Sequence, residues 1–183
     1  MSSSRERYER NRSTELVSSF SCADLTLLQA HHPLSSLTSA SYFSFSPAVG
    51  SGSGSSYTIT GMGRITAVKI GDYSNGHVQG IQLRYGFTWS PVVGYIGNDV
   101  HEIELFDDEF IVQISAHYIQ TLMIVTNRGR SLIAGQPSGQ TFNMYAIHPR
   151  AELRFLSGRV HGGLTSIASH WAVLSMPTNG TAD

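Results

Sequence analysis

From Tyr42 onward the chain reads as short runs in which apolar and polar residues alternate, separated by glycine-bearing turns. Alternation with a period of two marks half-buried β-strands, because successive side chains point to opposite faces. Tyr42-Phe-Ser-Phe-Ser46 predicts an edge strand, and Arg64 to Ile70 a second strand that ends in the turn cluster Gly71 to Gly76. Val78 to Tyr85 places Ile81, Leu83 and Tyr85 on one face and Gln82 and Arg84 on the other. Thr88 to Val93 follows, with Pro91 marking an edge or a bulge. His101 to Phe106 alternates acidic and apolar residues, while Phe110 to Ala116 and Thr121 to Thr126 are the most apolar runs and predict the most buried strands. Asn127 to Arg130 predicts a hairpin turn, completed by Ser131 to Ala134, and Thr141 to Ile147 follows. The last pair of strands surrounds a loop containing Gly158, Gly162 and Gly163, with Phe155 before it and Trp171 after it both read as core. Short strands at roughly ten-residue spacing, punctuated by glycine, predict an all-β sandwich, barrel or prism.

Composition divides the chain. Residues 1–41 are rich in Ser, Arg and Leu, lack alternation, and are expected to form a disordered N-terminal extension, or an alternative start standing where a signal peptide would be. Residues 42–174 are expected to form one β domain, and residues 175–183 a flexible tail. A chain of 183 residues has room for one core. Charged residues make up 14% and the formal net charge is −1, so no overall field favours nucleic acid or an anionic membrane. Cys22 is the single cysteine, which excludes an internal disulfide. No apolar run is long enough to insert into a membrane. No signal peptide is visible, since Leu16 to Leu28 is interrupted by Ser18, Ser19, Ser21 and Asp24.

No reaction chemistry stands out. There is no His-Glu-x-x-His or Cys/His cluster for a metal and no Gly-x-Ser-x-Gly elbow, and no dinucleotide or phosphate-binding loop calls for a cofactor. Glu102 and Glu104 share a strand face and read as a solvated acidic stripe, and Asp107-Asp108-Glu109 as a solvated turn. A non-enzymatic protein without cofactor or metal is expected.

The order of the segments carries a resemblance. After the loop Gly50-Ser-Gly-Ser-Gly54 come Arg64-Ile-Thr-Ala-Val68, Gly80-Ile-Gln-Leu-Arg-Tyr-Gly86, Trp89-Ser90, Val93-Gly94 and Ile111-Val-Gln-Ile-Ser115. Ile124-Val-Thr-Asn-Arg-Gly-Arg130, Leu153-Arg-Phe-Leu-Ser-Gly-Arg159 and His170-Trp171 complete the series. From about Tyr42 to Val173 the chain resembles the jacalin-related lectins of animals, in the group of zymogen granule protein 16. The resemblance implies a β-prism of three four-stranded antiparallel sheets related by pseudo-threefold symmetry. It implies metal-free sugar binding at one end of the prism, a secreted or secretory-granule location, and glycans or glycoproteins of mannose type as partners. Weak contact with sulfated glycosaminoglycans is also implied, with Arg128 and Arg130 the local cluster able to attract sulfate.

The resemblance assigns the site to three loops. The glycine-rich loop ends at Gly54, a recognition loop over Ser115 to Gln120 contributes His117 and Tyr118, and the binding loop contributes His161, Gly162, Gly163 and Thr165. By register Thr165 stands where the family has an aspartate and His161 where it has a glycine. Replacing a charged acceptor by a hydroxyl costs about 1.5–3 kcal/mol, or about ten- to a hundredfold in affinity, so weak sugar binding is expected. The alternative is a protein-interaction module on the same scaffold that has lost sugar binding. Within residues 46–173 bases and acids balance, eight of each, so no basic excess draws anionic glycans to the domain as a whole.

Overall fold

The computed structural model describes residues 40–73, 76–117, 119–136 and 141–174. The expectations for most of the N-terminal extension, for residues 175–183 and for Tyr118 lie outside the described residues. In chain order the strands are β1 (Ala40–Phe45), β2 (Val49–Gly50), β3 (Ser55–Ile59), β4 (Ile65–Asp72), β5 (Val78–Tyr85), β6 (Thr88–Trp89) and β7 (Val93–Gly94). They continue as β8 (Asp99–Glu104), β9 (Ile111–His117), β10 (Thr121–Thr126), β11 (Ser131–Gly135), β12 (Phe142–Tyr145), β13 (Ala151–Val160) and β14 (Leu164–Leu174).

Among the described residues the strands form three antiparallel sheets: β1-β14-β13-β3 with β2 also on β14, β11-β10-β9-β12, and β6-β5-β4-β8 with β7 also on β5. The two-residue strands are continuations of interrupted edges. β1 follows β14 as far as His170, and β2 resumes the same edge at Ile167. β6 pairs at Arg84 and β7 resumes at Ile81. The gap between them holds Pro91, which has no N–H to give a ladder. Counting each interrupted edge as one strand, every sheet is four strands wide, which is the prism architecture the resemblance implies.

The three sheets turn their apolar faces to one core. Ile70, Ile81 and Leu83 come from one sheet, Ile114, Leu122 and Ile124 from the next, and Leu153, Leu156, Ile167 and Trp171 from the third. Trp171 is fully buried, and its indole N–H donates to Ser46 Oγ at 3.3 Å.

Three details depart from the sequence reading. Strand β3 was not anticipated, because Ser55-Ser-Tyr-Thr-Ile59 is hydroxyl-rich and only Ile59 is fully buried. Phe155 is not core. A β-bulge between Leu153 and Phe155 shifts the alternation by one residue, so Leu156 turns inward and Phe155 turns out to stack on His170 at 4.1 Å. Gly158 lies inside β13, not in a loop, and a Cβ there would come within 2.0 Å of the Ser166 carbonyl oxygen. Glu102 and Glu104 share an exposed face as expected, where Lys69 pairs with the first at 3.3 Å and Arg84 with the second at 2.5 Å. Trp89 lies beside both cations, at 4.5 Å from Lys69 and 5.6 Å from Arg84.

The acidic turn holds a further correction. Glu109 is buried at 1% exposure, not solvated. Its carboxylate accepts from the Thr126 hydroxyl at 2.6 Å, the Phe106 amide at 3.1 Å and Arg130 at 2.6 Å. Burial pushes its pKa up, but the Thr126, Phe106 and Arg130 donors outweigh this and hold it below the ordinary 4.5. A depressed carboxylate stabilises the fold above its unfolded value, and that stabilisation is lost as pH falls through the lower folded value. Glu109→Gln is expected to cost about 1–2 kcal/mol at neutral pH and to flatten the acid side of the stability profile. Chemical denaturation across a pH series measures both effects.

Candidate functional site

At one end of the prism the β13–β14 hairpin turns through His161, Gly162 and Gly163. The His161 amide donates to the Gly163 carbonyl at 2.9 Å, and Gly162 sits at φ +71°, where a side chain would be strained. The loop Gly50-Ser-Gly-Ser-Gly54 is pressed against this hairpin. A Cβ on Gly50 would lie 2.1 Å from the Thr165 carbonyl oxygen, and one on Gly54 would lie 2.2 Å from that of Val160. Only backbone fits at these two points. Three hydrogen bonds fix the contact: Thr165 Oγ1 donates to the Ser53 carbonyl at 2.5 Å, the Gly52 amide to the Thr165 carbonyl at 3.3 Å, and the Arg159 guanidinium to the Gly54 carbonyl at 2.8 Å.

The facing wall comes from the start of β5 and the turn between β9 and β10. The Val78 amide donates to the Ile119 carbonyl at 3.2 Å, which joins the two, and the Gln120 amide closes the turn on the His117 carbonyl at 2.7 Å. Ile119 is 2% exposed and has φ +60°, a conformation that is an outlier for a β-branched residue. Its burial and the bond from Val78 hold it there, and strain of this kind concentrates at binding sites.

Between the walls lies a cleft of about 270 Å³. It is lined by His161, Gly162, Gly163, Leu164 and Thr165 of the β13–β14 hairpin, by His77, Val78 and Gln79 at the start of β5, and by Ile119 and Gln120 of the β9–β10 turn. No carboxylate lines it. Among the described residues the amides of Gly54, Gly162 and Gly163 donate to no protein group. No group of three His, Cys, Asp or Glu is placed to hold a metal ion among the described residues. The cleft brings together two imidazoles, two side-chain amides, the turn amides and the Thr165 hydroxyl, an arrangement suited to holding a polar molecule by hydrogen bonds.

The expected site residues do not all meet. His161, Gly162, Gly163 and Thr165 line the cleft, and Gly54 backs it through its contact with His161. His117 closes β9, pairs with Thr121 and is not a lining residue; the recognition loop is shorter than expected, because Ser115 to His117 belong to the strand. Arg128 and Arg130 are each matched by a carboxylate, Asp108 and Glu109, and both lie 4.8 Å from the Phe106 ring. His77 and Gln79 were not foreseen as site residues. They reach the cleft through long-range contacts without a local sequence signal, among them the bond of Val78 to Ile119 and the packing of Gln79 against Gly163.

A prism of three antiparallel sheets with a glycine-walled polar cleft at one end is the architecture of a lectin. The Jacalin-like lectin domain matches residues 46–170, and the chain belongs to that family of non-enzymatic carbohydrate-binding proteins. It is 37% identical over 136 residues to Zymogen granule membrane protein 16 of Homo sapiens, a match spanning 71% of this chain and 81% of the relative. The protein of the same name from Rattus norvegicus is 39% identical over 112 residues, covering 60% of this chain and 66% of the relative. The crystal structure of a prostate-specific WGA16 glycoprotein lectin superposes with a TM-score of 0.62 at 28% identity, covering 72% of this chain and 100% of that one. The mannose-binding lectin from Champedak shares the fold, with a TM-score of 0.61 at 20% identity over 73% of this chain and 99% of that one.

Thr165 has a structural duty at this site. Its hydroxyl proton is committed to Ser53, which leaves the oxygen lone pairs to accept from a ligand. Thr165→Val is expected to cost about 0.5–1.5 kcal/mol and to loosen the glycine loop, while Thr165→Ser keeps the bond and stays within about 0.5 kcal/mol of the parent. Thermal unfolding measures the stabilities, and amide hydrogen exchange of residues 50–54 measures the loosening.

Proposed function

We propose that the chain binds glycans weakly at this cleft, with mannose-type saccharides, free or on glycoproteins, as the foremost neutral ligands. The observation that carries the reading is the pair of glycines, Gly162 and Gly163, whose amides donate to no protein group among the described residues and which line a cleft whose size suits a sugar ring, with Gly54 packed behind His161. Glycine amides reach ligand oxygens because no Cβ intervenes. Binding is weak because the hydroxyl of Thr165 offers no charge to accept from two sugar hydroxyls at once, and charge-assisted bonds are about twice as strong as neutral ones. The relatives are named for the zymogen granule membrane, and a secretory-granule setting is proposed for this chain on that basis.

A second reading is a protein-interaction module that keeps the prism without sugar binding. It is favoured by the Thr165 proton being spent on Ser53 and by the lack of a carboxylate in the cleft. A glycan array with the purified chain separates the two, read beside Gly163→Val and Thr165→Asp. A Cβ on Gly163 would meet Gln79 Cα at 3.4 Å, so valine intrudes on the cleft from an ordinary backbone conformation. Glycan binding is expected in the parent, at least about tenfold weaker in Gly163→Val, and stronger for mannose in Thr165→Asp. Silence of all three chains across neutral and charged glycans would favour the interaction module.

A further inference from the structure

The segment between β7 and β8 rests on a seat made of glycines. Gly71 and Gly80 pair across β4 and β5. A Cβ on Gly80 would come within 2.4 Å of the Tyr95 carbonyl oxygen, and one on Gly71 within 2.8 Å of Ile96 Cα. Gly94, at φ +77°, turns the chain onto this seat, where a Cβ would lie 2.0 Å from the Gln79 carbonyl oxygen. Only bare backbone at these three positions lets Tyr95 and Ile96 approach the sheet so closely.

The seat presents an aromatic ring. Tyr95 is 62% exposed, and a Cβ on Gly97 would lie 2.8 Å from its Cε1, so Gly97 backs the ring while most of the residue meets solvent. A lone exposed aromatic is ordinary on a surface, and it is the position of this one that gives it meaning. The Gln79 carbonyl oxygen accepts from the Tyr95 amide at 3.1 Å and would lie 3.7 Å from a Cβ on Gly163. Gln79, a lining residue of the cleft, therefore stands between the binding turn and Tyr95, which is not itself a lining residue. A ligand that leaves the cleft past Gln79 meets Tyr95 next. A pyranose has C–H groups on its faces and hydroxyls around its rim. A tyrosine ring answers both, with an apolar face and a hydroxyl that donates and accepts.

We infer that Tyr95 is a stacking platform for a second sugar residue, so that cleft and ring together select glycans of two or more mannose-type units over single ones. This rests on the cleft being the glycan site proposed above. Tyr73 provides the comparison: it is also exposed, but its amide donates to the His77 carbonyl at 3.3 Å, which places it beside His77 and not beside Gln79.

The test is NMR titration of the full, isotopically labelled chain with methyl mannoside, a mannobiose and a mannotriose. It reads the ratio of oligosaccharide to monosaccharide affinity, which a general loosening of the cleft would leave in place. In the parent the better oligosaccharide is expected to bind about five- to tenfold tighter than the monosaccharide. The ratio is expected to fall to about one in Tyr95→Ala and to persist in Tyr95→Phe, which keeps the ring, and in Tyr73→Ala. Thermal midpoints confirm that each variant is folded. A parent ratio of about one overturns the inference and leaves the glycan reading standing. So does a gain with length that survives Tyr95→Ala, or one that Tyr95→Phe or Tyr73→Ala abolishes. Failure of every probe to bind the parent overturns both readings.

Discussion

The backbone of Gly50 to Gly54 lies against the β13–β14 hairpin at a separation that leaves no space for a Cβ at either end of the loop. Everything distinctive about this end of the prism depends on that contact. It packs Gly54 against His161 and lets Thr165 and Arg159 each bond a loop carbonyl, while among the described residues the turn amides of Gly162 and Gly163 donate to no protein group. Glycine in this loop costs conformational entropy on folding, and the hydrogen bonds from Gly52, Thr165 and Arg159 offset part of that cost.

Strand β14 carries the constraint into the core. It pairs with β13 on one side and with β1 and β2 on the other, so it joins the two ends of the described fold. Its inward residues Ile167, Ser169, Trp171 and Val173 are buried, and its first residues carry the hydrogen bonds to the glycine loop. A register slip of one residue would exchange its faces, turning Trp171 outward and moving Thr165 from Ser53. Core packing and cleft geometry are therefore set by the same pairing.

Much of the scaffold was legible in the sequence. Val78 to Tyr85 alternates cleanly, and β5 has those bounds with Ile81, Leu83 and Tyr85 buried. The hairpin at Asn127 to Arg130 follows from its turn composition, with Gly129 at φ +75°. Phe155 was misplaced because a bulge is invisible to a strict period of two, and Glu109 because an acidic turn gives no sign that Thr126 and Arg130 converge on it from a neighbouring hairpin. The glycine loop and binding turn were located through the order of motifs. His77 and Gln79 were out of reach, since their place at the cleft follows from long-range contacts, Val78 with Ile119 and Gln79 with Gly163, that leave no local pattern.

The central claim is that unengaged glycine amides at the prism end hold the ligand. It is tested most directly by following the backbone amide NMR signals of the isotopically labelled chain during titration with a binding saccharide. The account predicts saturable shifts centred on Gly54, Gly162 and Gly163, spreading to His77 to Gln79 and Gln120, with the sheet faces unmoved. Shifts centred elsewhere, such as the outer face bearing Phe43 and Phe45, with the three glycine amides unperturbed, would contradict it.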